Sequence, residues 1–132
     1  MKDKFKFLHT MIRVIDLDKS IAFYCDHFQM KLIRRKDYPS GEFTLAFLGY
    51  GEEHNSTVIE LTHNWSRKDN YDLGNGFGHL AIGVPDIYKT CEKLSEAGLE
   101  IPRPPGPMAH GGSIIAFIKD PDGYMVELIE RK

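Results

Sequence analysis

The chain has 132 residues, 42% of them hydrophobic and 27% charged, the balance of an ordinary soluble globular protein long enough for one compact domain. Seventeen basic against nineteen acidic residues give a net charge of −2, which argues against nucleic acid or an anionic membrane as the main partner, since such binders carry a basic excess. No apolar run approaches the roughly 18 to 20 residues of a membrane span, and the two cysteines, Cys25 and Cys91, fall at no disulfide or metal spacing, as expected of reduced thiols in a cytoplasmic protein.

In chain order, MKDKFKF lacks the apolar centre of a signal peptide. The run FLHTMIRV (7–14) alternates as a strand. Asp18 is expected to cap the helix that follows, whose apolar face carries Ile21, Tyr24, Cys25 and Phe28 at i, i+3, i+4 and i+7. Arg34, Arg35 and Lys36 read as a solvated strand edge. LAFLGYG (45–51) and TVIEL (57–61) are strands, and the second sets a carboxylate, Glu60, inside an apolar run, which is costly unless its charge is compensated. A second strand–helix unit begins at FGHLAIGV (77–84), with Asp86 as cap, Ile87, Cys91 and Leu94 as apolar face and Gly98 as stop. The prolines and glycines of PRPPGPMAHGG (102–112) suggest an irregular loop. IAFIKDPDGY (115–124) is a strand ending in a tight turn, and MVELI (125–129) returns the TVIEL pattern with Glu127 in the place of Glu60; Glu130 reads as an edge residue.

The chain therefore repeats itself. Residues 7–32 align with 77–101, and LAFLGYG leading to TVIEL aligns with IAFIKDPDGY leading to MVELI. Each half reads strand, helix and three strands, so the fold class is α+β: two βαβββ modules, repeat 7–65 and repeat 77–130, within one domain spanning 1–132. His9 precedes Glu60 by 51 positions and His79 precedes Glu127 by 48. A lone strand histidine is usually structural. Two copies that each retain a His on the first strand and a Glu on the last point instead to ligands. Two imidazoles and two carboxylates suit a divalent transition metal, whose charge compensates the buried carboxylates. Four ligands on a six-coordinate ion leave two positions, enough to chelate a substrate with adjacent oxygens.

Strand alternation places Arg13 on the face of His9 and Asn64 on the face of Glu60, each about 13 Å along its strand from the ligand. An arginine and an amide there suit a carboxylate-bearing tail of a substrate. The equivalent positions in the second half are Gly83 and Arg131. His27 and His54 read as solvated, and His63 falls on the strand face opposite Glu60. His110 is a candidate lid residue.

The segments LHTMIRV (8–14), LAFLGYG (45–51), TVIELTHNW (57–65), YDLGNGFGHLAIGV (71–84) and AFIKDPDGYMVELIE (116–130) together resemble the glyoxalase I (lactoylglutathione lyase) family of the vicinal oxygen chelate superfamily, in its short bacterial form. The resemblance implies paired modules whose mixed sheets form a metal-binding cleft, and a homodimer with metal sites shared between subunits, His9 and Glu60 coming from one chain and His79 and Glu127 from its partner. It implies isomerisation of the methylglyoxal–glutathione hemithioacetal to S-lactoylglutathione through a metal-stabilised ene-diolate, a methylglyoxal-detoxifying reaction with glutathione as co-substrate. Glu127 is the implied base, with Glu60 as its counterpart on the opposite face of the substrate. Arg13, Asn64 and His79 are the implied substrate contacts. His9 at the first ligand position, where zinc-dependent relatives have Gln, favours Ni2+, or Co2+, over Zn2+. Asn75 stands where the eukaryotic form often has an arginine, which leaves the thiol open. The alternatives are another metal-dependent member of the superfamily, such as an acyl-coenzyme A epimerase, and a metal-free binding module; a filled His/Glu set weighs against the second.

Overall fold

The computed structural model describes residues 4–132; the first three residues of the MKDKFKF stretch lie outside them. Eight strands and two helices follow one another among the described residues: β1 (His9–Arg13), α1 (Leu17–Phe28), β2 (Lys31–Tyr38), β3 (Phe43–Gly49), β4 (Val58–Asn64), β5 (Leu80–Val84), α2 (Ile87–Glu96), β6 (Arg103–Pro107), β7 (Ile114–Lys119) and β8 (Met125–Glu130). They form two compact units, residues 1–71 and 72–132. The expected βαβββ order holds in both.

In the first unit the sheet order is β1-β4-β3-β2; in the second it is β5-β8-β7-β6. Each first strand runs parallel to the last strand of its unit, and the remaining pairs are antiparallel. A parallel pair needs a long crossover, which here includes the helix and the two intervening strands. The helix covers one face of each sheet. Ile12, Val14, Ala46, Leu48 and Leu61 are buried on that face of the first sheet, with Phe23, Tyr24 and Phe28 from α1. Ile82, Val84, Ala116, Ile118, Val126 and Leu128 are buried with Ile87, Cys91 and Leu94 of α2 in the second. Full burial of each larger apolar side chain contributes about 1.5–3 kcal/mol. The opposite face of each sheet is free of its own helix, and it carries the histidines and glutamates of interest.

Four local expectations need correction. The cap of α1 is Asp16, whose side chain accepts from the Lys19 amide at 3.1 Å. Asp18 lies in the first turn and instead accepts from Arg35 at 2.6 Å. The buried face of α1 is rotated from the expected one: Phe23 is buried, while Ile21 and Cys25 are only half-buried. The proline-rich segment is not wholly irregular, because Arg103–Pro107 forms β6, the outermost strand of its sheet. Its prolines are tolerated there because one flank of an outermost strand needs no partner. Finally, Glu130 is no edge residue. It ends β8, which is flanked by β5 and β7, and its Oε2 accepts from the Ile87 amide at 3.2 Å. A carboxylate at the first amide of α2 satisfies an otherwise orphaned donor and faces the positive end of the helix dipole.

Other expectations hold. Asp86 caps α2, accepting from Lys89 at 3.1 Å, and Gly98 follows the helix at φ +88°, a conformation glycine adopts without penalty. In the DPDG turn the buried Asp120 accepts from the amides of Asp122 and Tyr124. No helix among the described residues is long and apolar enough to cross a membrane.

The two aspartates before and within α1 separate experimentally. Asp16→Ala should lower the unfolding free energy by about 0.5–2 kcal/mol in urea titration. Asp18→Ala, which removes a surface ion pair, should lower it by less than about 1 kcal/mol.

Candidate functional site

On the helix-free face of the first sheet, Met11 pairs in register with Glu60, which sets His9 one alternation step before the carboxylate on the adjacent parallel strand. His9 Nε2 lies 2.7 Å from Glu60 Oε1. The second unit repeats the arrangement: Ala81 pairs with Glu127, and His79 Nε2 lies 3.0 Å from Glu127 Oε1. The glutamates are well shielded, at 13% and 14% side-chain exposure, whereas the imidazoles reach solvent at 34% and 41%. A shielded carboxylate thus meets a nitrogen donor in each unit, which answers the cost of placing it in an apolar strand.

The donor chemistry and spacing fit a divalent ion. An imidazole nitrogen and a carboxylate oxygen that both ligate one ion at about 2.0–2.2 Å stand roughly 3 Å apart when their bonds meet near a right angle, and both pairs have that separation. Among the described residues no three His, Cys, Asp or Glu side chains cluster as a ligand set. Each unit therefore offers two donors, half of a four-ligand set.

Two phenylalanines, absent from the expectations, complete each face. Phe47 on β3 pairs in register with Glu60, and Phe117 on β7 pairs with Glu127. The ring of Phe47 meets His9 edge-to-face at 5.7 Å and 81°, and Phe117 meets His79 at 5.2 Å and 78°. The signal was available: the dipeptide Ala46–Phe47 recurs as Ala116–Phe117 in the aligned segments. Outside the phenylalanines the units differ. Arg34 stacks on Phe47 with its guanidinium carbon 3.8 Å from the ring centroid, and holds Glu53 through bonds of 2.6 and 3.2 Å. That hydrogen bond keeps the Glu53 carboxyl below the usual carboxylate range. Arg103, the register partner of Phe117, turns instead to the carbonyls of Pro104, Gly106, Pro107 and Ile115. Thr62 donates to Glu60 Oε2 at 3.4 Å, whereas Ile129 stands at the matching position two residues after Glu127.

The expected substrate contacts take different forms. Arg13 ends β1 on the face of His9, exposed. Asn64 ends β4 on the face of Glu60 and donates from Nδ2 to the Tyr71 hydroxyl at 3.1 Å, with Arg67 stacked on that tyrosine at 4.2 Å. In the second unit Gly83 occupies the position of Arg13, and a Cβ there would come within 2.8 Å of Arg131 Cδ. The stem of Arg131 thus crosses the face that Gly83 leaves bare. Both units carry an arginine at this end, Arg13 on β1 and Arg131 just past β8.

The remaining histidines do not join the pairs. His27, His54 and His110 are exposed, and His63 faces the helix side, as alternation predicts, with its Nδ1 buried and unpartnered among the described residues. A depression of about 370 Å3 on that side includes His63, Trp65, Arg35 and Arg67 but neither member of the His–Glu pair. Burial raises the thiol pKa of Cys91 and, with Asp26 adding to it, that of Cys25, which keeps both thiols protonated at neutral pH.

The sequence model of the Glyoxalase/Bleomycin resistance protein/Dioxygenase superfamily matches residues 6–128. A Synechocystis protein named "Probable lactoylglutathione lyase" is 66% identical over 123 residues, 93% of each chain. Neisseria meningitidis lactoylglutathione lyase is 55% identical over 127 residues, which are 96% of this chain and 91% of that one. Among solved structures, Zea mays glyoxalase I superimposes with a TM-score of 0.90 at 48% identity, over 96% of this chain but only 44% of the maize chain. The trypanothione-dependent Leishmania major glyoxalase I gives a TM-score of 0.84 at 42% identity, over 96% of this chain and 87% of the other. With the superfamily model spanning nearly its whole length and relatives of this identity, the chain belongs to the Glyoxalase/Bleomycin resistance protein/Dioxygenase superfamily, also called vicinal oxygen chelate.

Proposed function

We propose that this chain is a lactoylglutathione lyase, which isomerises the hemithioacetal of methylglyoxal and glutathione to S-lactoylglutathione with a divalent metal. The observation that carries the reading is the duplicated His–Glu pair, held at 2.7 and 3.0 Å in the same strand register in two units. The names of the relatives in Synechocystis and Neisseria meningitidis agree with it. His9, Glu60, His79 and Glu127 are the proposed ligands. Each unit supplies two donors, so a complete set needs both pairs; the reading places His9 and Glu60 of one chain with His79 and Glu127 of a partner copy in a cytoplasmic homodimer. The two repeats then act as a single functional domain. Ni2+ is the first choice of metal, followed by Co2+ and Zn2+.

The chemistry such an ion supplies is Lewis-acid stabilisation of the negative charge that develops on the substrate's two adjacent oxygens. The rest falls to the chain's own residues. Glu127 takes the proton from the carbon that bears the sulfur and returns it to the neighbouring carbon. The first carbon becomes the thioester carbonyl as its hydroxyl proton passes to the oxygen of the second, which becomes a carbinol, so no external oxidant or reductant is needed. Glu60 keeps the structural share of the work: a hydroxyl, Thr62, already meets its second oxygen, and Glu127 has no such neighbour at the matching position. Arg13 holds a carboxylate of the thiol, and Asn64, with Tyr71 fixing its amide, binds the polar end beside it. His79 lines the same face as a substrate contact. The shielding of both glutamates limits the water that would compete for the proton.

The thiol has a second reading, because a relative at 42% identity is a trypanothione-dependent enzyme and Asn75 leaves the approach to His79 without a cation at that position.

Protein reconstituted with Ni2+ or Co2+ should form thioester, read by its absorbance, from methylglyoxal and glutathione. Absence of product with Ni2+, Co2+ and Zn2+ alike would sink the assignment. Glu127→Gln should lower kcat by about 10²- to 10⁴-fold with the melting temperature little changed, and retained turnover would remove Glu127 as the base. Arg13→Ala should raise KM and leave kcat nearly constant, the signature of lost uniform binding; an unchanged KM would reject the anchor.

A further inference from the structure

We propose that Phe47 and Phe117 are positioning residues that hold the imidazoles of His9 and His79 with Nε2 toward the glutamates, and so set the affinity for divalent metal. The inference rests on the metal reading above but concerns residues outside the proposed ligand set.

An imidazole turns about its Cβ–Cγ bond, and even a partial turn swings Nε2 away from the atom it faces. A ligating histidine therefore needs a neighbour that fixes its ring, usually an acceptor for the second nitrogen. Here the neighbour common to both units is a phenyl ring, at 5.7 and 5.2 Å and nearly perpendicular. Edge-to-face contact is the arrangement that the ring quadrupole favours, and an imidazole turned out of its present plane would forfeit it. The register brings the rings within reach of one another. Phe47 stands opposite Glu60 and Phe117 opposite Glu127, so His, Glu and Phe from three adjacent strands occupy one patch of one face. Each glutamate lies on a strand flanked on both sides, with exposures of 13% and 14%.

The duplication argues that the ring is part of the device. Between the halves, Arg13 has become Gly83 and Thr62 has become Ile129, yet the His, the Glu and the Phe remain in the same register. The two copies are not equally braced. Phe47 is buried and carries Arg34 on its ring, itself held by Glu53. Phe117 is half-buried and its register partner Arg103 is engaged elsewhere.

The test is the Ni2+ affinity of the metal-stripped full chain, measured by competition with a chromophoric chelator. Phe47→Leu and Phe117→Leu should each weaken Ni2+ binding by about 10- to 100-fold, the range of second-layer substitutions around metal sites, with KM for the hemithioacetal at saturating metal almost unmoved. Phe117→Tyr, which keeps the ring at a half-buried position, should restore the affinity. In a cycle with His9→Ala, adding Phe47→Leu should weaken binding no further, because the ring acts through the histidine. Additive losses, or wild-type affinity in the folded Leu variants, would overturn the inference. Should Phe47→Leu not fold, the half-buried Phe117→Leu and a cycle with His79→Ala decide alone. If His9→Ala and His79→Ala leave Ni2+ affinity unchanged, the ligand reading itself falls and this inference with it; if they weaken binding and the Leu variants do not, only the inference falls.

Discussion

Everything distinctive in this chain turns on a carboxylate placed in an apolar strand. Glu60 and Glu127 are each surrounded by residues that bury β4 and β8, and an ionised carboxylate in such a setting needs a partner. The adjacent parallel strand supplies one, and it can do so only because β1 lies beside β4 and β5 beside β8. Parallel pairing of the first and last strands is thus the topological condition for the His–Glu contact. The helix then has to lie on the other face, which leaves the histidine face open to a ligand.

Much of this was legible in the sequence because it was written twice. The internal alignment carries the two His–Glu pairs and the βαβββ order, and more besides. Val14–Ile15–Asp16–Leu17 corresponds to Val84–Pro85–Asp86–Ile87, so the repeat itself marks Asp16 as the cap, whereas Asp18 attracted attention as a second acidic residue two positions on. Phe47 and Phe117 were hidden by an ordinary assumption: an aromatic in a strand is core until shown otherwise. Register is needed to see that each stands opposite a glutamate, and register is not a property of one strand's composition. Glu130 was misjudged for the same reason, since its partner is an amide 43 residues away. The turn at Asp120–Gly123 and the stop at Gly98 needed only local chemistry, and they were read correctly.

The two units resemble each other in their cores and differ in their trimmings, and the differences follow the chemistry. Around Glu60 lie a hydroxyl and, beyond Phe47, a cation–carboxylate pair. Around Glu127 lie Ile129 and a half-buried Phe117 whose register partner is tied to backbone carbonyls. Two His–Glu pairs in equal surroundings would serve a symmetric task. Proton transfer between two different carbons is not symmetric, and a duplicated unit can meet it by altering neighbours while keeping its His–Glu pair.

The prolines of β6 have a consequence at the scale of many molecules. The outermost strand of an open sheet presents unpaired amides and carbonyls, a template on which another chain can add a strand. Pro104, Pro105 and Pro107 leave the five-residue strand only two backbone N–H donors, and because successive amides point to opposite flanks the outer row is depleted with the inner one. The flank of the second sheet is therefore a poor seed for sheet extension even when copies collide at high concentration. A segment whose composition looked like a break in the structure serves as a boundary that keeps each molecule's sheet its own.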